Sequence, residues 1–436
     1  MSTTTRRGSR IRFRAAANSI RRNEISMPDE ADTPISAPTA ARRIGELDIL
    51  RGFALFGIVV VNTLVVSAMF APGGGIGQRP TGSGDVVDRI CGGLEQALFE
   101  GKFYLLFAFL FGYSFTLQMA AADRAGVRPV PRLLRRSAAL FLVGAAHVTL
   151  LWLGDILTLY AVLCVILLAV SNIRARTAFL TGLLLYAAFA LLPPELVVKS
   201  GAANAPRTDV GFTGGFAETL VSQVSAAPHF MLQIWQYQGV PALGMFLIGL
   251  AAGKRRVFEN PELLRHWTPR ALTLGFGVGG SVSLVSFVSS LADVRLPAFW
   301  PTLQSLSSPL LTLGYIGVLV WLTRSAYADT VARLAPAGRM AASNYIGQSV
   351  VCMLIYSGYG LALAGQVPTA GIMAIATATF AAQVWFSAWW LRRHPYGPVE
   401  WLLRAATNLA VPPWRTPADR RGGNRNLPDG PRPPRP

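Results

Sequence analysis

Charge is what this chain has least of. Asp, Glu, Lys and Arg make up 14% of its 436 residues, where soluble domains carry about 25%. That deficit excludes an ordinary string of soluble domains. Cysteine is scarce too: Cys91, Cys164 and Cys352 stand far apart with no C-x-x-C pair, so neither a disulfide framework nor a thiolate zinc site is expected. Histidine occurs four times. No Gly-rich phosphate loop, H-E-x-x-H pair or G-x-S-x-G elbow is present, and no metal site follows from any spacing. The formal net charge of +18 does not make a nucleic-acid binder, because the basic residues gather near the two ends and in alternate loops.

What is abundant is apolar sequence. Hydrophobic residues reach 52% and the mean hydropathy is +0.41. The first long run, Leu47 to Phe70, sets the pattern for the rest. It opens with Asp48 and Arg51, three apart and so able to pair on one helical face, then runs from Gly52 to Phe70 without charge. At about 1.5 Å per residue such a run crosses a hydrocarbon core of about 30 Å. Asn62 lies three turns further on.

Nine more runs follow, near 101–121, 133–153, 156–171, 178–192, 230–252, 271–291, 303–322, 340–363 and 370–391. The fold class is therefore all-α: a polytopic transmembrane helix bundle of about ten spans. A short interfacial helix is expected over 85–99, and another after Pro398. Fifteen Lys and Arg fall in the internal loops on one side and five on the other. The bias places both termini in the cytoplasm. Residues 1–43 hold nine arginines among Ser, Thr, Ala and Pro and read as a disordered basic arm. Residues 44–407 form the transmembrane domain, and 408–436 read as a disordered Pro/Arg-rich tail.

Ionisable groups in oily surroundings are the candidate site. His147 sits late in the third run, and Asp155 is eight residues on, two turns along the same face if the helix continues. A carboxylate can orient an imidazole as a general base. Alternatively His147 joins two helices and Asp155 caps the next one. Asp48 with Arg51 can hold phosphate, or be a boundary ion pair. Asn62, Asn344 and Gln348 either contact substrate or hydrogen-bond between helices. Glu400 and Arg404, four apart, read as a helical pair, and His229 is a lesser candidate at the outer mouth of the sixth span.

The motifs resemble those of the YeiB-like membrane proteins. They are Leu47-Asp48-x-Leu50-Arg51-Gly52-Phe53-Ala54 running to Asn62, Gly101-Lys102-Phe103, Gly144-x-x-His147 with Leu153-Gly154-Asp155, Gly338-Arg339-Met340 through Asn344, Tyr345, Gln348 and Ser349, and Gly397-Pro398-x-Glu400-Trp401. The resemblance covers about residues 43–407. It implies a distant relation to membrane acyltransferases that acetylate sugars from acyl-CoA. On that basis His147 and Asp155 are expected to be catalytic, and Asp48, Arg51, Asn62, Arg339, Asn344 and Gln348 to bind substrate. Acyl-CoA would be a co-substrate, with no permanently bound cofactor. The acceptor would be a small molecule or glycan, with the lipid bilayer as the standing partner. One departure is that 69–88 lacks the histidine such relatives carry after the first span. The alternative is a permease with a His/Asp proton relay.

Overall fold

The computed structural model describes residues 45–74, 85–192 and 212–416. Among these there is no strand; the chain is helix joined by short turns. α1 is Gly45–Met69 and α2 is Val86–Leu94, extended by a π-helical turn, Glu95–Phe99. α3 is Phe103–Arg124, α4 Pro129–Leu150, α5 Leu157–Ala169 and α6 Ala175–Ala190. α7 runs Phe216–Lys254. α8 is Pro261–Leu274 and continues through a π-helical stretch, Gly275–Gly280, into α9, Ser281–Ala292. α10 is Trp300–Leu322, with two single turns after it, α11 (Ala328–Ala332) and α12 (Ala335–Arg339). α13 is Ala341–Tyr356, α14 Thr369–Trp390 and α15 Pro398–Asn408.

Among the described residues, six runs are long and apolar enough to cross a membrane: 45–69, 86–124, 129–150, 261–292, 300–322 and 369–390. Many large apolar side chains face outward, Leu142, Leu184, Leu284 and Trp385 among them, each more than 60% exposed. A surface this apolar is stable against lipid rather than water. The protein is a helical membrane protein.

Its helices meet through glycine. Where lipid surrounds a bundle, no water drives helices together, so close backbone contact does. A Cβ on Gly112 of α3 would stand 2.1 Å from the Phe246 carbonyl oxygen of α7, and one on Gly249 of α7 equally close to that of Phe109. α1 is the central helix: seventeen of its 25 residues are buried, and it packs against α3, α12, α13 and α14.

Several boundaries differ from the sequence expectation. The Arg128–Arg136 stretch, expected to be mostly loop, forms the cap and first turns of α4. Arg128, Arg132, Arg135 and Arg136 lower the hydropathy of this helix start, although only Arg128 is exposed. α7 is a single helix of 39 residues that passes through Pro228 and Pro241. His229 therefore lies inside this helix. α13 stops at Tyr356, short of 363. The expected basic arm, 1–43, lies outside the described residues. The expected tail is docked as far as Thr416: Trp401 donates to the Pro412 carbonyl (2.9 Å), and Trp414 packs edge-on against Trp390 and Trp401.

Candidate functional site

α4 ends at Leu150, and the chain folds back through Trp152 and Gly154 before α5 begins at Leu157. That reversal creates the site. His147, on the last turn of α4, places Nδ1 2.9 Å from Oδ1 of Asp155. The contact expected from an unbroken helix is thus made by a turn instead. The other carboxylate oxygen, Oδ2, accepts the backbone N–H of Thr158 at 2.8 Å, so Asp155 caps α5 while it holds the imidazole. The two expected roles coexist.

On the far side of the ring, Nε2 lies 2.8 Å from the Ser349 hydroxyl of α13. Asp155 as a carboxylate can only accept, which puts the proton on Nδ1 and leaves Nε2 to accept from Ser349. His147, Asp155 and Ser349 are 2%, 1% and 5% exposed. Tyr345, one turn before Ser349, lies against the imidazole with ring centroids 5.1 Å apart, and its hydroxyl donates to the Gly154 carbonyl at 3.3 Å. Gly144 is required here: a Cβ would stand 2.7 Å from the Thr158 nitrogen and 3.0 Å from Asp155 Oδ2. A carboxylate, an imidazole and a hydroxyl thus stand in series inside the apolar body, which is the arrangement that activates a hydroxyl oxygen.

A second group forms where α1 begins. Arg51 Nη1 donates to Asp48 Oδ1 and Nη2 to the Ser114 hydroxyl of α3, both at 2.6 Å. Arg51 is 24% exposed. Gly338 brings α12 onto this end, for its Cβ would stand 1.8 Å from the Asp48 carbonyl oxygen. Arg339, the next residue, is therefore held near Asp48 and Arg51. Arg136 of α4 lies within electrostatic reach of both Arg51 and Arg404. Arginine forks gathered at one end suit a phosphorylated ligand.

Residues 252–410 match the family described as "Protein of unknown function (DUF418)". The chain is 32% identical over 396 residues to "Uncharacterized protein YxaH" of Bacillus subtilis (strain 168), covering 85% of this chain and 96% of that one. The chain belongs to the YeiB-like DUF418 family. "Uncharacterized protein YeiB" of Escherichia coli (strain K12) is 27% identical over 387 residues, 84% of this chain and 97% of that protein. An "Uncharacterized 39.9 kDa protein in amylase 3'region" of Bacillus acidopullulyticus is 28% identical over 382 residues, 84% and 94% of the two chains.

Asn344, Gln348 and Asn62, also expected at the site, make no hydrogen bond to His147 among the described residues. Asn344 donates to the Ala337 carbonyl (3.0 Å) and the Ser387 hydroxyl (2.9 Å), tying α13 to α12 and α14. Gln348 donates to the Leu55 carbonyl (3.3 Å) and to Gln383 (3.0 Å). Both use their amide donors in helix-to-helix bonds. Asn62 is half-buried on α1 and makes no side-chain hydrogen bond among the described residues. Glu400 is not paired with Arg404. It accepts from the Ala342 and Ser343 backbone N–H groups and from the Ser343 hydroxyl, capping α13, while Arg404 stacks over Tyr396 at 4.4 Å. Burial pushes the Glu400 carboxyl up, and the bonds from α13 oppose the rise.

Two functional candidates escaped the sequence reading. Ser349 stands 202 residues from His147, so no spacing could pair them. Lys102, which the sequence offers only as part of the Gly101-Lys102-Phe103 motif, is 1% exposed. Its Nζ donates to the Gln96 carbonyl at 2.9 Å, within electrostatic reach of Glu95 and Glu100.

Proposed function

We propose that this protein is a membrane acyltransferase that takes an acyl group from a cytoplasmic acyl-CoA and delivers it to a hydroxyl or amine at the outer face of the cell membrane. The reading rests on one observation: a buried imidazole held by a carboxylate, with its second nitrogen turned to a hydroxyl. Hydrocarbon disfavours such groups, and they persist where they handle a ligand. The donor's phosphates would be held by Arg51 and Arg339, with Asp48 fixing Arg51. His147, oriented by Asp155, would be the general base.

The topology that goes with this reading has ten spans and both termini in the cytoplasm. Counting 86–124 and 261–292 as one crossing each, α1, α4, α5, α6, α7, α10, α13 and α14 supply the other eight. α5, at 13 residues, spans about 20 Å as a helix, and the non-helical turn carrying Asp155 completes its crossing. A cysteine introduced after Thr416 and labelled by an impermeant maleimide only in lysed cells supports this; labelling in intact cells reverses the sidedness.

A permease is the second reading, and buried Lys102 favours it as a further ionisable group in the apolar body. The deciding experiment is thiol release from acetyl-CoA, octanoyl-CoA or palmitoyl-CoA by purified protein given mixed monosaccharides. Release that falls at least about 10³-fold in H147A, together with weaker thermal stabilisation by acyl-CoA in R51A, supports the enzyme. No release, with pH-driven uptake into proteoliposomes, would falsify it.

A further inference from the structure

We infer that Ser349 is the nucleophile of a two-step transfer and carries the acyl group as a seryl ester between donor and acceptor. The inference rests on the acyltransferase reading and adds the covalent residue which that reading lacks.

In a single-step transfer, Nε2 of His147 would have to face the acceptor. The structure instead places the Ser349 hydroxyl 2.8 Å from Nε2, while Nδ1 is committed to Asp155. The hydroxyl within reach of the base belongs to the protein itself. Such a series is recognised by geometry and roles, not by order in sequence. Here the three residues come from the end of α4, the turn before α5, and α13.

Other buried serines of the bundle include Ser67, whose hydroxyl has no hydrogen-bond partner among the described residues, and Ser286, Ser308 and Ser357, each of which donates to the carbonyl four residues earlier. That local bond satisfies a helical serine without any partner helix. Ser349 makes no such bond among the described residues; its hydroxyl goes to His147.

The chemistry balances without an added reagent. The Ser349 proton passes to Nε2 as Oγ attacks the thioester carbonyl; the C–S bond breaks and the departing thiolate takes that proton. In the second step an acceptor hydroxyl gives its proton to Nε2 and attacks the ester carbonyl. The seryl C–O bond breaks, and Ser349 Oγ recovers the proton.

The covalent relay also answers a problem of distance. Gln348 reaches the Leu55 carbonyl, and Cys352 Sγ lies 3.6 Å from Thr63 Oγ1. Ser349 is therefore level with the stretch of α1 between Leu55 and Thr63, on the order of 10 Å along the helix from Arg51. An acyl group parked at that depth lets donor and acceptor arrive at different times from opposite faces, so neither needs to cross.

The test is to incubate the purified protein with ¹⁴C-acetyl-CoA, octanoyl-CoA and palmitoyl-CoA without acceptor, quench in acid, and map the adduct by mass. The expected result is one acyl group on the Ser349 peptide, absent in S349A. In S349C the adduct becomes a thioester released by hydroxylamine at neutral pH, whereas the wild-type ester requires alkaline hydroxylamine. Adding monosaccharides should discharge the label. If S349A still releases thiol within about tenfold of wild type while H147A does not, the covalent step is overturned and direct transfer by His147 stands. If no thioester releases thiol, labels or thermally stabilises the wild-type protein, the acyltransferase reading falls and Ser349 with it. Unchanged melting temperatures of S349A and S349C guard against loss of fold as the cause.

Discussion

Replacing Asp155 with Asn should reverse the direction of both hydrogen bonds to the His147 ring while changing one heavy atom. In the native arrangement Oδ2 accepts the Thr158 backbone N–H at 2.8 Å and Oδ1 faces His147 Nδ1 at 2.9 Å. An amide has only one acceptor. The Thr158 N–H is a fixed backbone donor inside an apolar body, so the amide oxygen must turn to it. The NH₂ then faces Nδ1, which has to accept. The ring proton moves to Nε2, and Nε2–H donates to Ser349. His147 can no longer take a proton from that hydroxyl.

Two magnitudes follow. Charge-assisted bonds are worth about 1.5–3 kcal/mol each and neutral ones about 1 kcal/mol, so D155N should lose about 1–4 kcal/mol of stability. The wrong tautomer in a Ser-His-Asp series lowers turnover about 10⁴-fold, close to 5.5 kcal/mol of transition-state stabilisation. The activity loss should therefore exceed the stability loss. Nitrogen NMR of histidine-labelled protein in micelles, with the signal assigned by its absence in H147Q, reads the tautomer without any substrate. D155N retaining the Nδ1–H form, or releasing thiol within about tenfold of wild type, would refute the reasoning.

Gly338→Ala should unseat α12 from α1, because its Cβ would meet the Asp48 carbonyl oxygen at 1.8 Å and the Gly52 nitrogen at 2.8 Å; backbone cannot yield as a side chain can. A loss of at least about 1–3 kcal/mol is expected from thermal unfolding. Gly92→Ala in α2, with nothing within 4 Å, should be neutral or stabilise by up to about 1 kcal/mol. Glu400 has a carboxyl raised by burial, so the folded protein binds more protons than the unfolded chain above the unfolded value. Its contribution is therefore greatest below about pH 4, the unfolded value, and declines as pH rises through the raised folded value. E400Q should show a flatter profile of melting temperature over that window, and E400A should lose about 1–2 kcal/mol through the uncapped α13.

How much of this was legible in sequence depended on how far apart the interacting residues lie. Asp48 and Arg51, three apart on a helix, form the ion pair that their spacing implies. His147 and Asp155 meet as their proximity suggested, but by a different route. The helix was expected to carry both on one face, whereas it ends at Leu150 and the turn through Gly154 returns Asp155 to the ring. Hydropathy reads solvation, not backbone geometry. It therefore missed the start of α4 among its arginines and the continuity of α7 through Pro228 and Pro241.

Ser349 marks where such reading runs out. A buried serine can satisfy its hydroxyl on its own preceding turn, as Ser286, Ser308 and Ser357 do, and nothing in residues 345–353 says that this one will not. Its partner is specified by the packing of α13 beside the end of α4. That packing rests on contacts spread through the chain, from Gln348 on the Leu55 carbonyl to Tyr345 on the Gly154 carbonyl and Gly144 beneath Thr158. The local sequence supplies an imidazole and its orienting carboxylate. Only the assembled bundle supplies the hydroxyl, so a substitution that shifts α13 without touching the site, such as N344A at the Ala337 and Ser387 contacts, should lower turnover by separating Ser349 from Nε2 while leaving the His147–Asp155 tautomer intact.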